Sequence, residues 1–379
     1  MGNTRRNGMI RAKINKADEF YTLYQDIEKE LSAYVKYDPE VFKDKTVLLP
    51  CDDPEMSNFT KFFVNHFERF GLKKLISTSY SKGSELNKAG QLSLFDVNDG
   101  VRVHTESTCG RGKIFIMTRQ SVQNGSNRDT IRWKYLKGNG DFRSAEIRAL
   151  RDESDFVITN PMFSLFREFL TWIIEADKRF LIIGNINCIT YKEVFPMIKE
   201  NKVWLGNGLG RWISGFIVPS EYALYGSEAR INSNGERIVA TNNCLWLTNI
   251  EHGRRHTPLS LMTMADNVKY SKHAIIRTHG YRKYDNCDAI DIPYTDAIPS
   301  DYMGMMGVPI TFLDKYCPEQ FEIIRFRKGD DHCDLRVDGK CPYFRILIRH
   351  KHHTMVSEQL QDCIHETAHR FPWLRKQGT

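Results

Sequence analysis

No stretch of this 379-residue sequence approaches the roughly 20 consecutive apolar residues that a membrane-spanning helix needs. Residues 1–16 are basic and contain no apolar run, so they do not resemble a secretory signal. The sequence has no Cys-x-x-Cys pair, and its nine cysteines are scattered and odd in number. These absences argue against a membrane-spanning or secreted protein and predict a cytoplasmic, reducing setting.

Six histidines and cysteines near the C-terminus raise the question of a zinc site. Their spacing matches no familiar pattern of zinc ligands, so we expect no metal site. A surface loop followed by a basic tail is the other interpretation. The six residues are His332, Cys333, Cys341, His350, His352 and His353.

The composition is that of a folded globular protein with a mild basic excess. Hydrophobic residues make up 41% of the chain and aromatic residues 12%, enough for a substantial core in one large domain or two. The formal net charge of +7 weakly favours a polyanionic partner. No Gly-x-Gly-x-x-Gly follows the first predicted strand, which argues against a dehydrogenase.

Short apolar runs alternate with amphipathic segments over much of the chain. We predict strands at 47–49, 74–78, 156–158 and 180–183, helices at 17–34, 59–70, 144–150, 165–175 and 191–199, and a hairpin of 114–117 with 131–135. This alternation indicates right-handed βαβ units, and therefore an α/β fold with a mainly parallel sheet. Antiparallel strands are predicted to close one edge of the sheet, at 203–205, 212–218 and 243–248. Beyond residue 251 the alternation stops, and we expect a loop-rich region.

The segment Asn160-Pro161-Met162-Phe163 directly follows the apolar strand predicted at 156–158. The Asn160 side-chain oxygen and the Pro161 carbonyl can each accept one hydrogen of an exocyclic amino group, and Phe163 offers a face for a flat ring. An adenine amine is a poor nucleophile, because its lone pair is delocalised into the ring. Two aligned acceptors favour a more pyramidal nitrogen, whose lone pair can attack a methyl sulfonium. The structural alternative is a strand that simply ends in an Asn-Pro turn.

This segment resembles the Asn-Pro-Pro-Tyr/Phe signature of amino-methyltransferases. The segment 16–24 resembles their N-terminal cofactor motif. Their first strand, which ends in carboxylates, is similar to Val47-Leu-Leu-Pro-Cys-Asp-Asp-Pro54. Their Asp-Phe motif is similar to Gly140-Asp-Phe-Arg-Ser144. Further matching blocks lie at 189–195, 215–219, 243–249, 306–312 and 341–348. Taken in order over residues 16–349, the chain is similar to the EcoRI-type adenine-specific DNA methyltransferases.

The resemblance implies a Rossmann-like class I methyltransferase fold. Residues 1–16 would be a flexible basic N-terminus, 17–250 the S-adenosylmethionine-binding and catalytic domain, and 251–379 the DNA target-recognition region. The implied activity is sequence-specific transfer of a methyl group from S-adenosylmethionine to the N6 amine of an adenine flipped out of duplex DNA. The implied enzyme is a metal-free monomer that protects DNA from a separate, cognate restriction endonuclease.

The resemblance also implies site residues. Asn160, Pro161 and Phe163 would be catalytic. The cofactor-binding residues would be Asp18, Phe20, Tyr21, Thr22, Cys51, Asp52, Asp53, Asp141, Phe142 and Asn160. Carboxylates beyond the carboxyl end of a strand suit the cationic cofactor. For Asp52 and Asp53 the alternative is a helix N-cap, for Asp141 a turn, and for Asp18 and Phe20 ordinary helix and core positions.

Basic residues after residue 250 are candidates for DNA contacts, with an ordinary solvated surface as the alternative. They are Arg254, Arg255, Lys269, Lys272, Arg277, Arg282 and Lys283. One position departs from the family, because Met162 stands where the signature has a second proline. Two other functions therefore stay open: an RNA adenine-N6 methyltransferase, and a catalytically silent nucleic-acid-binding protein on the same scaffold.

Overall fold

The structure, a computed structural model, describes residues 21–81, 110–123, 131–209, 213–218, 224, 229–240, 243–327, 335–341 and 344–351. Predictions that fall on Asp18, Phe20, Trp212 or the basic segment 1–16 lie outside these residues. Two compact units divide the chain: Met1–Val194 with Lys202–Gly253, and Phe195–Asn201 with Arg254–Thr379. Each unit is described by itself.

The first unit is built from short strands and helices. Its strands are β1 (Tyr21–Thr22), β2 (Thr46–Leu49), β3 (Lys74–Thr78), β4 (Lys113–Thr118), β5 (Lys134–Tyr135), β6 (Phe156–Thr159), β7 (Arg179–Asn185), β8 (Trp204–Leu209), β9 (Phe216–Val218), β10 (Ala229–Ile231), β11 (Arg237–Val239) and β12 (Cys244–Thr248). Its α-helices are α1 (Tyr24–Tyr37), α2 (Asn58–Asn65), α3 (Arg119–Gln123), α4 (Ala145–Glu153) and α5 (Phe166–Ile174), with 3-10 turns at Phe163–Leu165 and Ile186–Thr190.

An eight-stranded sheet organises this unit, in the order β5-β4-β3-β2-β6-β7-β12-β8. The central strands β3, β2, β6 and β7 are parallel, whereas β4 with β5 and β12 with β8 add antiparallel strands at the two edges. The α/β prediction is confirmed, and the sheet is mixed. Strand order reverses between β2 and β6, the place where open α/β sheets bind ligands.

Apolar side chains on both faces of this sheet form the core, and α2 contributes much of it. Phe59, Phe62, Phe63 and Phe67 are buried, as their helical spacing predicts. The helix begins where Ser57 caps it, with the Ser57 side chain accepting from the Phe59 N–H.

Several predicted elements have different bounds or partners. Residues 212–218 were expected to close the edge of the main sheet, but β9 pairs with β1 and β11 in a separate sheet of order β1-β9-β11-β10. The helix predicted at 17–34 begins only at Tyr24, because β1 precedes it, and it runs to Tyr37. The helix predicted at 59–70 ends at Asn65 and continues as turns. A short apolar strand does not specify its partner, which explains the error for β9.

The second unit contains β13 (Ala289–Asp291), β14 (Met305–Pro309), β15 (Phe321–Arg327), β16 (Arg345–His350), α6 (Phe195–Lys199), α7 (Met264–Tyr270) and α8 (Ala274–His279). Its 3-10 turns include Thr295–Ala297 and Ile310–Lys315. The strands form a sheet of order β13-β14-β16-β15, which the expectation of a loop-rich region did not include, although most described residues beyond 251 lie outside α-helices and strands. The helix predicted at 191–199 is helical only in α6, where the Phe195 ring lies 5.1 Å from Phe326 on β15. Among the described residues, no helix has both the length and the apolar character to cross a membrane.

Candidate functional site

The carboxyl ends of β2 and β6 lie side by side, because these strands pair in parallel. Asp52 follows β2, and Asn160 follows β6 directly. A hydrogen bond joins the two ends: the Thr159 hydroxyl donates to Asp52 Oδ2 over 2.6 Å. The structure therefore brings the predicted carboxylates and the Asn160-Pro161-Met162-Phe163 turn to one place.

Asp52 is buried beneath this place, with 4% of its surface exposed. The Ser57 hydroxyl donates to its other carboxylate oxygen, Oδ1, over 2.6 Å. Burial raises the pKa of Asp52 to about 6, although the hydrogen bonds from Ser57 and Thr159 act in the opposite direction. Both oxygens of Asp52 thus face donors from the protein itself.

Asp53 and Asp141 are more open than Asp52, with side chains 17% and 21% exposed. Asp53 Oδ2 lies 3.3 Å from Lys113 Nζ, and its Oδ1 accepts the backbone N–H groups of Glu55 and Met56 in the turn that follows, whereas the N-cap of α2 is Ser57. Arg143 binds Asp141 through two nitrogens, at 2.9 and 2.6 Å. These hydrogen bonds from Arg143 lower the pKa of Asp141, which is therefore a carboxylate at neutral pH.

Cys51 and Phe142 complete the set of predicted cofactor residues near the strand ends. Burial raises the pKa of the Cys51 thiol, and the carboxylates of Asp52 and Asp141 raise it further, so the thiol is neutral. Phe142 is buried, and its ring centroid lies 5.2 Å from that of Phe169 and 5.7 Å from that of Trp172. The structure places Phe142 in the packing of α5, and its contact with a ligand stays a prediction.

The short strands β1 and β9 carry two more predicted residues to this region. Thr22 pairs with Phe216, and the Asn58 amide donates to the Thr22 carbonyl over 2.8 Å. Phe216 in turn faces Phe163 edge-on, with ring centroids 6.5 Å apart. The Tyr21–Thr22 segment is thereby held close to both the start of α2 and the Asn160 turn.

The turn itself is partly open. Pro161 is buried, whereas Asn160, Met162 and Phe163 are partly buried. The Leu165 N–H donates to the Met162 carbonyl over 3.0 Å, which closes the 3-10 turn that follows. The arrangement brings an amide, a peptide carbonyl and an aromatic ring together within four residues, next to a pair of carboxylates, and the Asn160 side-chain oxygen is buried there.

Comparison with known proteins assigns this arrangement to a family. The family model for the EcoRI adenine-specific methyltransferase matches residues 8–351. The type II methyltransferase M.EcoRI of Escherichia coli is 51% identical over 341 residues, which cover 90% of this chain and 95% of that protein. The chain belongs to this family. It is an enzyme, an adenine-specific DNA methyltransferase.

More distant relatives support the same assignment over the same length. M.MpnI of Mycoplasma pneumoniae is 32% identical over 359 residues, covering 90% of this chain and 97% of that protein. M.MgeORF184P of Mycoplasma genitalium is 31% identical over 360 residues, covering 89% and 97%. Both are named type II methyltransferases. No solved structure matches this chain.

The family signature has proline where this chain has Met162, and the backbone there suits proline. Met162 has φ −58° and ψ 122°, and proline fixes φ near −65°. Within the part of the chain that the structure describes, the Met162 N–H donates to no hydrogen bond. A proline would remove no bond, and it would restrict Pro161, whose carbonyl is a proposed acceptor.

We therefore expect Met162→Pro to raise the single-turnover rate of methyl transfer, by about two- to tenfold, because it preorganises the turn. The matched control is Met162→Leu, which changes the side chain without restricting the backbone and should leave the rate near that of the wild type. Rapid-quench kinetics at saturating DNA and cofactor would measure both rates. An unchanged or lower rate in a folded Met162→Pro enzyme would contradict this interpretation.

Most of the basic residues predicted to contact DNA have partners within the second unit. Arg254 pairs with Asp314 at 2.8 Å, Lys272 with Asp296 at 2.6 Å and Arg282 with Asp338 at 2.9 Å. Arg277 donates to the Ser271 carbonyl, the Lys269 ammonium lies 4.9 Å from the Tyr270 ring centroid, and Lys283 is exposed. Arg255 is buried and donates to Asn201 over 3.3 Å, and its contact with DNA stays a prediction.

The histidines and cysteines considered as zinc ligands lie partly within the described residues. Among the residues that the structure describes, no group of three or more His, Cys, Asp or Glu side chains is placed to hold a metal ion. His332, Cys333, His352 and His353 lie outside those residues.

Thr159 was not singled out from the sequence, although a polar residue that ends an otherwise apolar strand, directly before Asn160, was a usable signal.

Proposed function

We propose that this enzyme moves a methyl group from S-adenosylmethionine to the N6 amine of an adenine flipped out of duplex DNA. The observation that carries the proposal is the junction of the Asn160 turn with the carboxylates that follow β2, through the Thr159–Asp52 hydrogen bond. It lies where strand order reverses in the sheet, which favours a Rossmann-like class I arrangement.

The proposed cofactor fits the chemistry of these strand ends. S-adenosylmethionine carries an ammonium and a sulfonium, and Asp53 and Asp141 are partly exposed carboxylates near the carboxyl end of β2. A neutral Cys51 thiol adds no charge that would oppose a cation. Tyr21, Thr22 and Phe142 complete the proposed set within the described residues. When bound, the cofactor supplies the electrophilic methyl group.

The chain's own groups prepare the amine for attack. The Asn160 side-chain oxygen and the Pro161 carbonyl each accept one amine hydrogen, which orients the nitrogen lone pair and stabilises the positive charge that develops there. Phe163 stacks on the adenine ring. The N–C bond would form as the methyl–sulfur bond breaks and the sulfur leaves as a neutral thioether. The nitrogen would then lose its proton to water, so the step needs no titrating base. Flipping the base costs a few kcal/mol, which contacts to the DNA backbone offset.

The two parts of the chain would have different roles. Residues 17–250 would bind the cofactor and perform the transfer, and residues 251–379 would recognise a specific duplex sequence through basic side chains such as Lys269 and Lys283. The enzyme would act as a monomer in the cytoplasm, and a separate restriction endonuclease would share its target. The family membership supports these points without fixing the recognised bases.

The experiment that tests the proposal is transfer of a labelled methyl group from S-adenosylmethionine to matched duplex DNA and duplex RNA. We expect label on adenine N6 of DNA and none on RNA. Label on RNA alone would favour the RNA methyltransferase, and cofactor binding without any product would favour the catalytically silent protein. Sequencing of modified bases in DNA from cells that express the chain would then give the target sequence.

Replacement of Phe163 by alanine is expected to lower the methyl-transfer rate by about tenfold to hundredfold, because stacking of a base on an aromatic ring contributes roughly 1–3 kcal/mol. Phe163→Tyr keeps the ring and should retain most of the activity. Phe163 also packs against Phe216, so a thermal melt must show that both variants are folded. Equal rates for the alanine variant and the wild type would rule out the stacking role.

A further inference from the structure

Buried hydroxyl groups at the carboxyl ends of β3 and β6 cluster on either side of β2, which lies between these two strands. Ser77 and Thr78 end β3, Thr159 ends β6, and all three are fully buried. Ser57 and Thr60, at and within the start of α2, are buried beside them, and the Thr60 and Ser77 hydroxyls lie 2.7 Å apart. The rest of these strand ends is apolar, so the polar cluster is a local departure from the core.

Asp52 lies at the centre of this cluster and is fixed through both its backbone and its side chain. Its N–H donates to the Thr78 carbonyl over 2.9 Å, and its carbonyl accepts from the Ser77 hydroxyl over 2.7 Å. Its carboxylate accepts from Ser57 and from Thr159, both over 2.6 Å. The Asp52 side chain therefore joins β6 to the start of α2, and its backbone joins both to β3.

We propose that Asp52 is a positioning residue for methyl transfer, which fixes the direction of the Asn160 turn by holding the Thr159 side chain. The inference rests on the proposed function. Thr159 directly precedes Asn160, so a rotation of the Thr159 peptide would move the Asn160 amide and the Pro161 carbonyl together. Displacement of a reacting group by about 1 Å can lower a rate by about a hundredfold, so such an anchor has a large effect.

The burial of Asp52 separates this role from the cofactor contact expected from the sequence. Asp53 and Asp141 are the partly exposed acids near the same strand end, whereas both Asp52 oxygens point to protein hydroxyls. A buried carboxylate also opposes folding, because it loses the solvation that it has in the unfolded chain. An apolar residue would fill the same space without the loss of solvation free energy. The presence of Asp52 therefore indicates that its hydrogen bonds to Ser57 and Thr159 matter to the site.

The test compares Thr159→Val, which removes the hydroxyl but keeps the shape, with Thr159→Ser, which keeps the hydroxyl. Thr248→Val is the matched control, because Thr248 is also fully buried, ends β12 of the same sheet and donates to the Phe180 carbonyl over 2.7 Å. Each variant is assayed for single-turnover methyl transfer and for the dissociation constants of S-adenosylmethionine and DNA, and the binding stoichiometry reports the folded fraction.

We expect Thr159→Val to lower the single-turnover rate about ten- to hundredfold, with both dissociation constants within about threefold of the wild type. Thr159→Ser and Thr248→Val should stay within about threefold in rate. Asp52→Leu, which removes both acceptors of the Ser57 and Thr159 hydroxyls, should lower the rate by a comparable factor.

Three results would overturn the inference. They are an unchanged rate in Thr159→Val, an equal loss in Thr248→Val, and a loss confined to cofactor affinity, which would make Asp52 a cofactor-binding residue. These outcomes differ from failure of the proposed function, in which the wild-type enzyme itself would methylate no DNA. If Thr159→Val does not fold, it is combined with Asp52→Asn, so that no buried carboxylate lacks a donor. The rate of this double variant is then compared with that of Asp52→Asn alone.

Discussion

Replacement of Asn160 by alanine is expected to reduce methyl transfer to DNA by about a thousandfold or more. Removal of one preorganised group that stabilises a developing charge lowers a rate by about 10²- to 10³-fold. Asn160 has a second effect in this account, because its oxygen also orients the amine. The loss should appear in the single-turnover rate, while binding of S-adenosylmethionine and DNA changes far less.

A matched control exists in the same sheet. Asn185 ends β7, the strand beside β6, and its side chain accepts from the Asn187 N–H over 3.0 Å. Asn185→Ala therefore removes an asparagine at the end of a neighbouring strand, and we expect its rate to stay within about threefold of the wild type. Full activity of a folded Asn160→Ala enzyme would refute the proposed chemistry.

Asp52→Asn is expected to stabilise the enzyme at neutral pH by about 3 kcal/mol. The pKa of Asp52 is about 6 in the folded protein, against 3.8 for an ordinary aspartate, because burial disfavours the carboxylate. Each pKa unit corresponds to about 1.36 kcal/mol, and Asp52 is too buried for solvent to screen much of this. The buried charge would thus lower stability where the enzyme needs it, in exchange for the geometry of the Asn160 turn.

The direction of the pH dependence follows from the raised pKa. Asp52 stabilises the fold most below pH 3.8, and that contribution is lost as the pH rises through about 6. Its charged neighbour Asp53 acts in the same direction as burial. The free energy of unfolding of Asp52→Asn minus that of the wild type should therefore grow from near zero below about pH 3 to its full value above about pH 7.

Urea unfolding at a series of pH values measures this difference. Asp53→Asn is the control, since it removes a neighbouring carboxylate that is partly exposed and paired with Lys113, and we expect only a small part of this gain from it, because the Asp53 charge is the smallest of the causes that act on Asp52. A difference for Asp52→Asn that is constant with pH, or of the opposite sign, would show that Asp52 is well solvated or better paired than the structure indicates.

The sequence predicted the parts of this protein that depend on local pattern. The strands β2, β3, β6 and β7 were found within one or two residues, because each is a short apolar run between turn residues. The place of the Asn160 turn at a strand end followed directly, and the resemblance to the family supplied its chemistry.

Features that depend on distant pairing were not predictable in the same way. The Thr159–Asp52 hydrogen bond joins positions 107 residues apart, and nothing in either local sequence specifies it. The partners of β9 and the sheet of the second unit were missed for the same reason. In that sheet β14 pairs with β16 across a long intervening segment, so the short strands gave no hairpin signal.

The most direct test of the central claim is the structure of the enzyme bound to target DNA and a non-reactive analogue of S-adenosylmethionine. Our account predicts a flipped adenine stacked on Phe163, with its N6 atom about 2.7–3.2 Å from both the Asn160 side-chain oxygen and the Pro161 carbonyl oxygen. An adenine bound elsewhere, or an N6 atom out of hydrogen-bonding reach of both oxygens, would contradict it.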